Sequence, residues 1–304
     1  MKSDHLKETS LRYFLEVARC GSIRLASERL FVAASAVSRQ ISGLEAALEV
    51  QLFERRPRGM VLSAAGEMLA THARRSALEA DRVVADILAL QGLQRGKVAL
   101  ACTEGFAIDF LPGVIMEFQR KYPGITFGLE VAGPAEVTDM VRNGDADLGV
   151  TFNRVAQPDI EVVHRQPAPV LAIVATGHPL AARKHVTLAQ LAAQPLALPT
   201  AETSLRQLFD IACGRTGVVV EPRVTSNCAS ALHRCVLCGG MVSIAGEVSV
   251  RRYLAEGSMV GIPLREHSLD ARNIELQTLL GRTLPKVVRT FLDFLKARLG
   301  GSGD

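Results

Sequence analysis

The feature that most constrains the fold is a regular alternation of short apolar runs with longer amphipathic runs, which begins near Lys97 and continues to the end of the chain. The apolar runs have strand length, and the runs between them repeat at about 3.6 residues, the period of one helix face. The first five segments predict strand 98–102, helix 107–121, strand 125–131, helix 136–143 and strand 148–152. This βαβαβ order is typical of a parallel sheet covered by helices.

A second set of the same kind predicts a second α/β lobe. Its segments are strands 170–175, 196–198, 218–224 and 241–245 and helices 204–213 and 228–238, with strand 274–280 and helix 285–299 at the end. We assign about 97–163 and 268–304 to lobe I and about 164–267 to lobe II. Two such lobes, joined by two crossings, place a small-molecule cleft at their junction.

Three short helical periods precede this region, between residues 11 and 66. The first ends at Gly21, and Ser22 is of a type that caps the start of the next helix. The second and third helices are separated by a few residues, which is the helix-turn-helix pattern. The third helix carries apolar residues on one face, and its opposite face carries Ser35, Ser38, Arg39 and Ser42.

Two strand-like pieces follow around a turn with Pro and Gly, which predicts a β-wing. Arg55, Arg56 and Arg58 make this turn strongly cationic. Residues 1–75 hold 12 basic and 8 acidic side chains, whereas the rest of the chain holds 23 of each. The whole net charge of +4 therefore lies in the first 75 residues, which include the predicted helix-turn-helix, and a basic region of this kind suits a nucleic-acid partner.

Residues 67–90 form one long helical pattern in which small or apolar side chains recur at alternating steps of four and three. This is the a/d spacing of a coiled coil, here diluted by Ala and Ser. A solitary helix of this length needs a partner, and a second copy of the chain is the simplest one. The seam positions are Leu69, Ala73, Ser76, Ala80, Val83, Ile87 and Leu90.

Composition excludes several other classes of protein. Apolar residues make up 48% of the 304, which is too many for a disordered chain, and six Cys are too few for a secreted disulfide scaffold. No apolar run approaches the roughly 20 residues that span a bilayer, and residues 1–8 lack the apolar core of an export signal. We therefore expect a cytoplasmic protein with free thiols and no membrane partner.

The motifs resemble those of LysR-type transcriptional regulators over essentially the whole chain. The most specific are LRYFLEVA at 11–18, GSI at 21–23, ASERL at 26–30, AVSRQI at 36–41, LE at 44–45, LFER at 52–55 and LSAAGE at 62–67. The downstream motifs are similar to the effector domain of the family. They are LP at 111–112, Phe118, YPG at 122–124, GDADLG at 144–149, HPL at 178–180 and SN at 226–227.

The resemblance implies an α/β protein with an N-terminal winged helix-turn-helix (1–66), a linker and dimerisation helix (67–96) and a two-lobe, periplasmic-binding-protein-like effector domain (97–304). It implies a DNA-binding homo-oligomer, commonly a tetramer, which a small-molecule effector controls on double-stranded operator DNA. RNA polymerase is a further candidate partner. We expect no cofactor, whereas the effector, the operator and the direction of regulation stay open.

The recognition helix departs from the family pattern at its start. The family usually has a Ser and then a Gln that reaches base edges, and Ala33 and Ala34 stand at these positions. Neither can form a hydrogen bond to a base, so readout must depend on Ser35, Ser38 and Arg39, or on DNA shape through the wing. The simpler alternative is a solvated polar face on a surface helix.

Candidate effector-binding residues follow the predicted strands. Thr103-Glu104-Gly105 follows the first strand and opens a helix, where free backbone N–H groups suit an anion. Glu104 would repel an anion there, or bind an amine or hydroxyl group. The resemblance adds Thr151, Phe152, Thr203, Ser204, Ser226 and Asn227. The alternative is that these Thr and Ser residues are only helix caps.

The cysteines of the helix at 228–238 allow a sharper hypothesis, because Cys235 and Cys238 form a CxxC motif and Cys228 lies about two turns before Cys235. No second CxxC follows at zinc-ribbon spacing. The three residues share a helix face with Ala231, so we expect small buried side chains there, with a thiol sensor as the alternative and no metal.

The alternative from another class is a two-lobe solute-binding protein, or an enzyme such as a small-molecule transferase, without DNA binding. The sequence contains no G-x-S-x-G, H-E-x-x-H, Walker A or G-x-G-x-x-G motif. His178 reads as part of a turn, and Asp145 and Asp147 as caps before a strand. We therefore expect no catalytic activity.

Overall fold

The computed structural model of the chain describes residues 9–56, 59–89, 95–153, 157–266 and 272–300. The chain divides into two compact units. The first comprises residues 1–92 with 282–286, and the second comprises residues 93–281 with 287–304. The predicted boundary near residue 97 lies close to this division.

The first unit contains three short helices, a hairpin and a long helix, as the sequence predicts. They are α1 (Thr9–Cys20), α2 (Ile23–Leu30), α3 (Ala34–Leu48), β1 (Phe53–Arg56), β2 (Gly59–Leu62) and α4 (Ala64–Ala89). Its core packs Phe14 of α1 against Val37 and Ile41 of α3 and Phe53 of β1. The rings of Phe14 and Phe53 lie 5.2 Å apart, so this core holds the helix-turn-helix and the wing together.

Local contacts explain where these elements begin and end. The Ser22 hydroxyl accepts a hydrogen bond from the Leu25 N–H, as a helix cap should, and Gly21 adopts the left-handed conformation that ends α1. The Met60 N–H donates to the Gly21 carbonyl at 2.8 Å. A Cβ at Gly59 would lie 2.6 Å from the same carbonyl oxygen, so only glycine allows the hairpin to approach α1 this closely.

Helix α4 begins at Ala64, three residues before the predicted start. The Ser63 hydroxyl accepts from the Gly66 N–H at 3.0 Å and caps the helix. Along the predicted seam Ala73 is buried, whereas Ser76 and Ile87 are exposed and available to a partner helix. Leu90, the last seam position, lies outside the described residues.

The second unit contains lobe I, a five-stranded sheet with helices on its faces. The strands are β3 (Gly96–Cys102), β4 (Ile125–Val131), β5 (Leu148–Asn153), β6 (Ile160–Pro167) and β12 (Asn273–Leu279), in the order β4-β3-β5-β12-β6. The helices are α5 (Glu104–Ala107), α6 (Phe110–Lys121), α7 (Pro134–Asn143) and α12 (Lys286–Gly300). Strands β3, β4 and β5 are parallel and β12 runs antiparallel to both its neighbours, so the βαβαβ prediction is confirmed.

Two details of lobe I differ from the prediction. The helix expected at 107–121 begins only at Phe110, and the separate short helix α5 precedes it. Pro112 lacks an N–H and therefore fits in the first turn of α6. Strand β6, which the sequence did not predict, pairs with β12 as far as Pro167. This sheet therefore continues about four residues past the expected crossing at 163.

Lobe II is also an α/β layer structure. Its strands are β7 (Val170–Ala175), β8 (Ala197–Pro199), β9 (Val224–Ser226), β10 (Ser243–Gly246) and β11 (Met259–Pro263). Its helices are α8 (Leu188–Ala192), α9 (Ser204–Thr216), α10 (Ala229–Gly239) and α11 (Glu247–Ala255), with a 3₁₀ turn at Pro179–Ala182. Strands β10, β7 and β11 form one antiparallel sheet, and β8 pairs with β9 in parallel.

The predicted strand 218–224 is wrong over most of its length, since only Val224 belongs to a strand. Val218 and Val220 pack on the lobe II core and Val219 is 81% exposed, which is a strand-like alternation without a ladder. Pro222 interrupts the run and supplies no N–H, so pairing begins only after it.

Candidate DNA-binding face and effector cleft

The four polar residues predicted for the recognition helix lie together on the exposed side of α3. Ser35, Ser38, Arg39 and Ser42 are all exposed. The opposite side of the helix buries Val37 and Ile41 in the core. The Arg39 Nε donates a hydrogen bond of 3.3 Å to the Ser35 carbonyl at the surface, so the guanidinium is free to exchange this contact for another.

At the start of α3, the structure agrees with the sequence, which has an Ala where a residue able to cap the helix is usual. Ala33 is the N-cap residue and makes no side-chain capping bond. The first backbone N–H groups of α3 therefore lack a side-chain acceptor from the cap. A helix N-terminus of this kind attracts anions such as DNA phosphates.

The β-wing is confirmed, but its cations are placed differently from the prediction. Arg55 and Arg56 lie in strand β1 and not in the turn, because Arg56 pairs with Gly59 and leaves a two-residue connection. The Arg56 guanidinium forms an exposed ion pair with Glu54 at 2.9 Å. The side chain of Arg55 and all of Arg58 lie outside the described residues.

A cavity of about 830 Å³ lies within the second unit, between its lobes. Seven of the eight predicted effector-binding residues line it: Thr103, Glu104, Phe152, Thr203, Ser204, Ser226 and Asn227. Thr151 is not part of the lining and is fully buried in β5, so its prediction as a contact residue is wrong. Alternate side chains of a strand point to opposite faces, which is why Thr151 and Phe152 cannot both face the cleft.

Glu104 links the two lobes across the cleft. Both of its carboxylate oxygens accept the Ala229 N–H, at 2.8 and 3.0 Å. Ala229 is the first residue of α10, and the N-cap residue Cys228 makes no side-chain capping bond there. The Glu104 carboxylate therefore caps α10 with favourable charge, and in this state it neither binds an amine nor stands free to repel an anion.

Thr203 acts as a helix cap, which is the alternative to effector binding given above for these Thr and Ser residues. Its hydroxyl accepts from the Arg206 N–H at 3.3 Å and also donates to the Thr200 carbonyl at 2.9 Å. The Thr103 hydroxyl is different, because it is buried without a hydrogen-bond partner among the described residues and makes no capping bond to α5. Of these two residues, Thr103 is the one with an unused donor in the cleft.

Arg272 is a cleft residue that sequence reasoning missed. It is 7% exposed, and its guanidinium carbon lies 3.4 Å from the centre of the Phe152 ring. Phe152 in turn stacks on Phe106 at 4.6 Å. Burial lowers the pKa of the Arg272 guanidinium, which still remains cationic at neutral pH. A lone Arg directly before a buried strand was the only signal in the sequence.

His233 is a second buried cleft residue that was not predicted. It is 2% exposed, its ring meets Tyr253 edge-on at 5.6 Å, and its Nδ1 has no hydrogen-bond partner among the residues that the structure describes. Burial lowers the pKa of the imidazole, while the nearby carboxylates of Glu104 and Asp109 raise it to a smaller extent. His233 is therefore neutral at pH 7.

We expect the stability of the chain to fall in mild acid partly because of His233. Above about pH 6.5 the imidazole is neutral in both states and contributes nothing. Below that pH the unfolded chain binds a proton that the folded chain resists, which costs at most about 1.4 kcal/mol for each pH unit. Thermal unfolding between pH 7.5 and 5.5 should therefore show a weaker pH dependence in His233→Gln.

His178, whose pKa is also lowered by burial, is unchanged in that variant and gives the same background. An identical pH dependence in both proteins would contradict this assignment.

The cysteine face of α10 is oriented opposite to expectation. Cys228 and Cys238 are exposed and Cys235 is half-buried, so the prediction of small buried side chains is wrong for this face. The buried face carries Leu232, His233 and Val236 instead. Periodicity shows which residues share a face, but it does not show which face the rest of the fold covers.

The remaining candidate residues have structural contacts. The His178 Nδ1 accepts from the Leu180 N–H at 3.1 Å and caps the 3₁₀ turn, and Asp147 accepts from the Ala99 N–H at 2.8 Å. Among the described residues no group of three or more His, Cys, Asp or Glu could hold a metal ion. No described helix is both long and apolar enough to cross a bilayer.

Comparison with known proteins assigns both units to one family. Residues 9–67 match the model "Bacterial regulatory helix-turn-helix protein, lysR family", and residues 91–300 match the model "LysR substrate binding domain". A similar relative is the HTH-type transcriptional activator CmpR of Synechocystis, which is 28% identical over 291 residues, or 93% of each chain.

Two solved structures show the same fold. CbnR in complex with its target DNA has a TM-score of 0.54 at 22% identity, over 95% of this chain and 98% of that one. The regulatory domain of Synechocystis CcmR in complex with 2-PG has a TM-score of 0.57 at 22% identity, over 68% of this chain and 99% of that one. The family models cover nearly all of the described structure, and the chain therefore belongs to the LysR family of bacterial helix-turn-helix regulators.

Proposed function

We propose that the chain regulates transcription by binding double-stranded operator DNA through the exposed face of α3 and the wing. The observation that carries this proposal is the polar face of Ser35, Ser38, Arg39 and Ser42 on a helix whose other side is anchored in the core. Residues 1–66 would bind DNA, residues 67–96 would pair two copies, and residues 97–304 would bind the effector. The protein would act in the cytoplasm without catalysing a reaction.

Arg39 is the residue best suited to read a base. A guanidinium can donate two parallel hydrogen bonds to guanine in the major groove. The three serines have one short hydroxyl each and fit phosphate or sugar contacts, which position the helix without reading sequence. The N-terminus of α3, which lacks a side-chain cap, adds a further place for a phosphate.

A small molecule in the cleft would change DNA binding through the arrangement of the two lobes. The contact between Glu104 of lobe I and Ala229 of lobe II belongs to the present arrangement. A ligand can shift the equilibrium between two arrangements only by its difference in affinity for them. The complex of the CcmR regulatory domain with 2-PG supports small-molecule control of this type of domain.

The seam of α4 favours a homodimer, and the family also forms larger assemblies. Two DNA-binding domains related by two-fold symmetry would bind two half-sites about one helical turn of DNA apart, or a multiple of it. RNA polymerase remains a candidate partner of the DNA-bound protein.

A gel shift with the DNA that flanks the chain's own gene tests the proposal. We expect a retarded band whose binding constant falls steeply as salt rises, because each neutralised phosphate releases counterions. The matched control is the same titration with DNA of random sequence, which should bind more weakly. The absence of a retarded band at low salt would favour the solute-binding protein or transferase instead.

A further inference from the structure

Arg272 has no counter-ion among the residues that the structure describes. Its side chain is nine-tenths buried, and its Nε has no hydrogen-bond partner in the described part of the chain. None of the ion pairs among the described residues joins a carboxylate to the Arg272 guanidinium. A buried charge without a partner costs stability, so its presence in a cleft points to a ligand that completes it.

The guanidinium is held in place by groups that do not neutralise it. Phe152 lies beneath it at 3.4 Å, and a Cβ at Gly246 would be only 3.3 Å from its Nη1. The ring contact offsets part of the cost of burial but leaves the hydrogen-bonding donors unused. Arg272 is therefore prearranged, with its donors available to a molecule in the cavity it lines.

The other polar groups of the cavity also favour an anion. The Thr103 hydroxyl and the His233 Nδ1 are buried there without partners among the described residues, and the Nδ1 donates in the tautomer that carries the proton on it. The N-terminus of α11, a helix of nine residues, begins beside Arg272 after Gly246, and Gly246 provides no side-chain cap. Of the described residues, two acidic ones line the cavity: Glu104, which accepts the Ala229 N–H, and Glu202, which is exposed.

We propose that the cleft takes a small organic anion and that Arg272 binds its carboxylate or phosphate group. The Thr103 hydroxyl would be a second donor to the same molecule. A cavity of about 830 Å³ accommodates a metabolite of this kind together with the apolar contacts that Phe152 offers. The inference rests on the proposed role of the cleft as the effector site and names the chemistry of that site.

The first test measures thermal unfolding of the full chain with simple probes and without DNA. Succinate tests the carboxylate form, inorganic phosphate tests the phosphate form, and ethanolamine and glycerol are the cationic and neutral controls. We expect at least one anionic probe to raise the Tm in proportion to the logarithm of its concentration, and the controls to have no effect. No response to either anion at tens of millimolar, or a response to ethanolamine instead, would overturn the proposal.

The second test repeats the titration with Arg272→Gln. The matched control is Arg183→Gln, which also removes one cation but from an exposed position. Arg272→Gln should weaken binding of the anionic probe about 30-fold or more, whereas Arg183→Gln should leave it unchanged. Equal binding by wild type and Arg272→Gln would overturn the role of Arg272.

A third measurement separates a binding role from a structural one and remains decisive where Arg272→Gln folds poorly. Without a ligand, Arg272→Met should have a Tm equal to or above that of wild type, because it removes an uncompensated buried charge. A fall of several degrees would show that Arg272 supports the fold, and would overturn the inference. All three results are independent of the gel shift, so a chain that binds DNA but ignores anions would refute only this proposal.

Discussion

Arg39→Ala is expected to weaken operator binding by about 1–3 kcal/mol for each half-site, which is the cost of losing a bidentate contact to a base. A dimer on two half-sites would lose this amount twice, so the binding constant should fall by at least about 30-fold. The loss should be larger on the operator than on random DNA, since a base contact carries sequence information. Fluorescence anisotropy on both DNAs measures the two losses.

Lys184→Ala provides the matched control for this variant. It removes the same charge from an exposed position of the second unit and should leave operator binding within a factor of about two, because charges away from the interface act weakly. An equal loss on operator and random DNA would assign Arg39 to a phosphate. Undiminished binding would remove Arg39 from the interface.

Phe118→Ala is expected to lower the free energy of unfolding of the second unit by about 3–5 kcal/mol. Phe118 is fully buried on α6, and its ring lies 5.1 Å from Phe291 and 5.4 Å from Phe294, both on α12. Phe127 of β4 lies 6.0 Å away. The truncated side chain would leave a cavity where two helices and the sheet of lobe I meet, so the Tm should fall by about 6–20 °C.

Met116→Ala on the same helix is the control, because Met116 is 56% exposed. Its effect should stay within about 0.5 kcal/mol. Differential scanning calorimetry of the full chain reports the transition of each unit, and the first unit should unfold as in wild type. A fall in Tm of less than about 2 °C for Phe118→Ala would contradict the packing described for lobe I.

The elements with strong periodicity could be predicted from the sequence. Helices α1, α2 and α3 and the βαβαβ order of lobe I follow from where apolar residues recur. Gly21 marks the end of α1, and Ser22 marks the start of α2. Weaker segments could not be predicted this way. The run around Val219 alternates like a strand, yet Pro222 prevents pairing and the pattern alone does not show this.

The residues of the candidate sites also divide into those that the sequence could predict and those that it could not. The ends of the predicted strands indicated where the cleft lies, because loops at the carboxyl ends of parallel strands converge. Most of the predicted effector-binding residues do line the cleft. Arg272 directly precedes strand β12 near the end of the chain, and the antiparallel return of β12 brings it to the cleft. The exposure of Cys228 and Cys238 likewise depends on how α10 packs, which is a tertiary property.

Hydroxyl-radical footprinting of the full chain on the DNA that flanks its own gene tests the central claim most directly. A winged helix-turn-helix dimer that reads DNA through α3 predicts two protected half-sites, about one helical turn apart or a multiple of it, on one side of the duplex. Arg39→Ala should lose this protection at a protein concentration where Lys184→Ala retains it. Absence of protection at low salt, or an unchanged footprint in Arg39→Ala, would contradict the account.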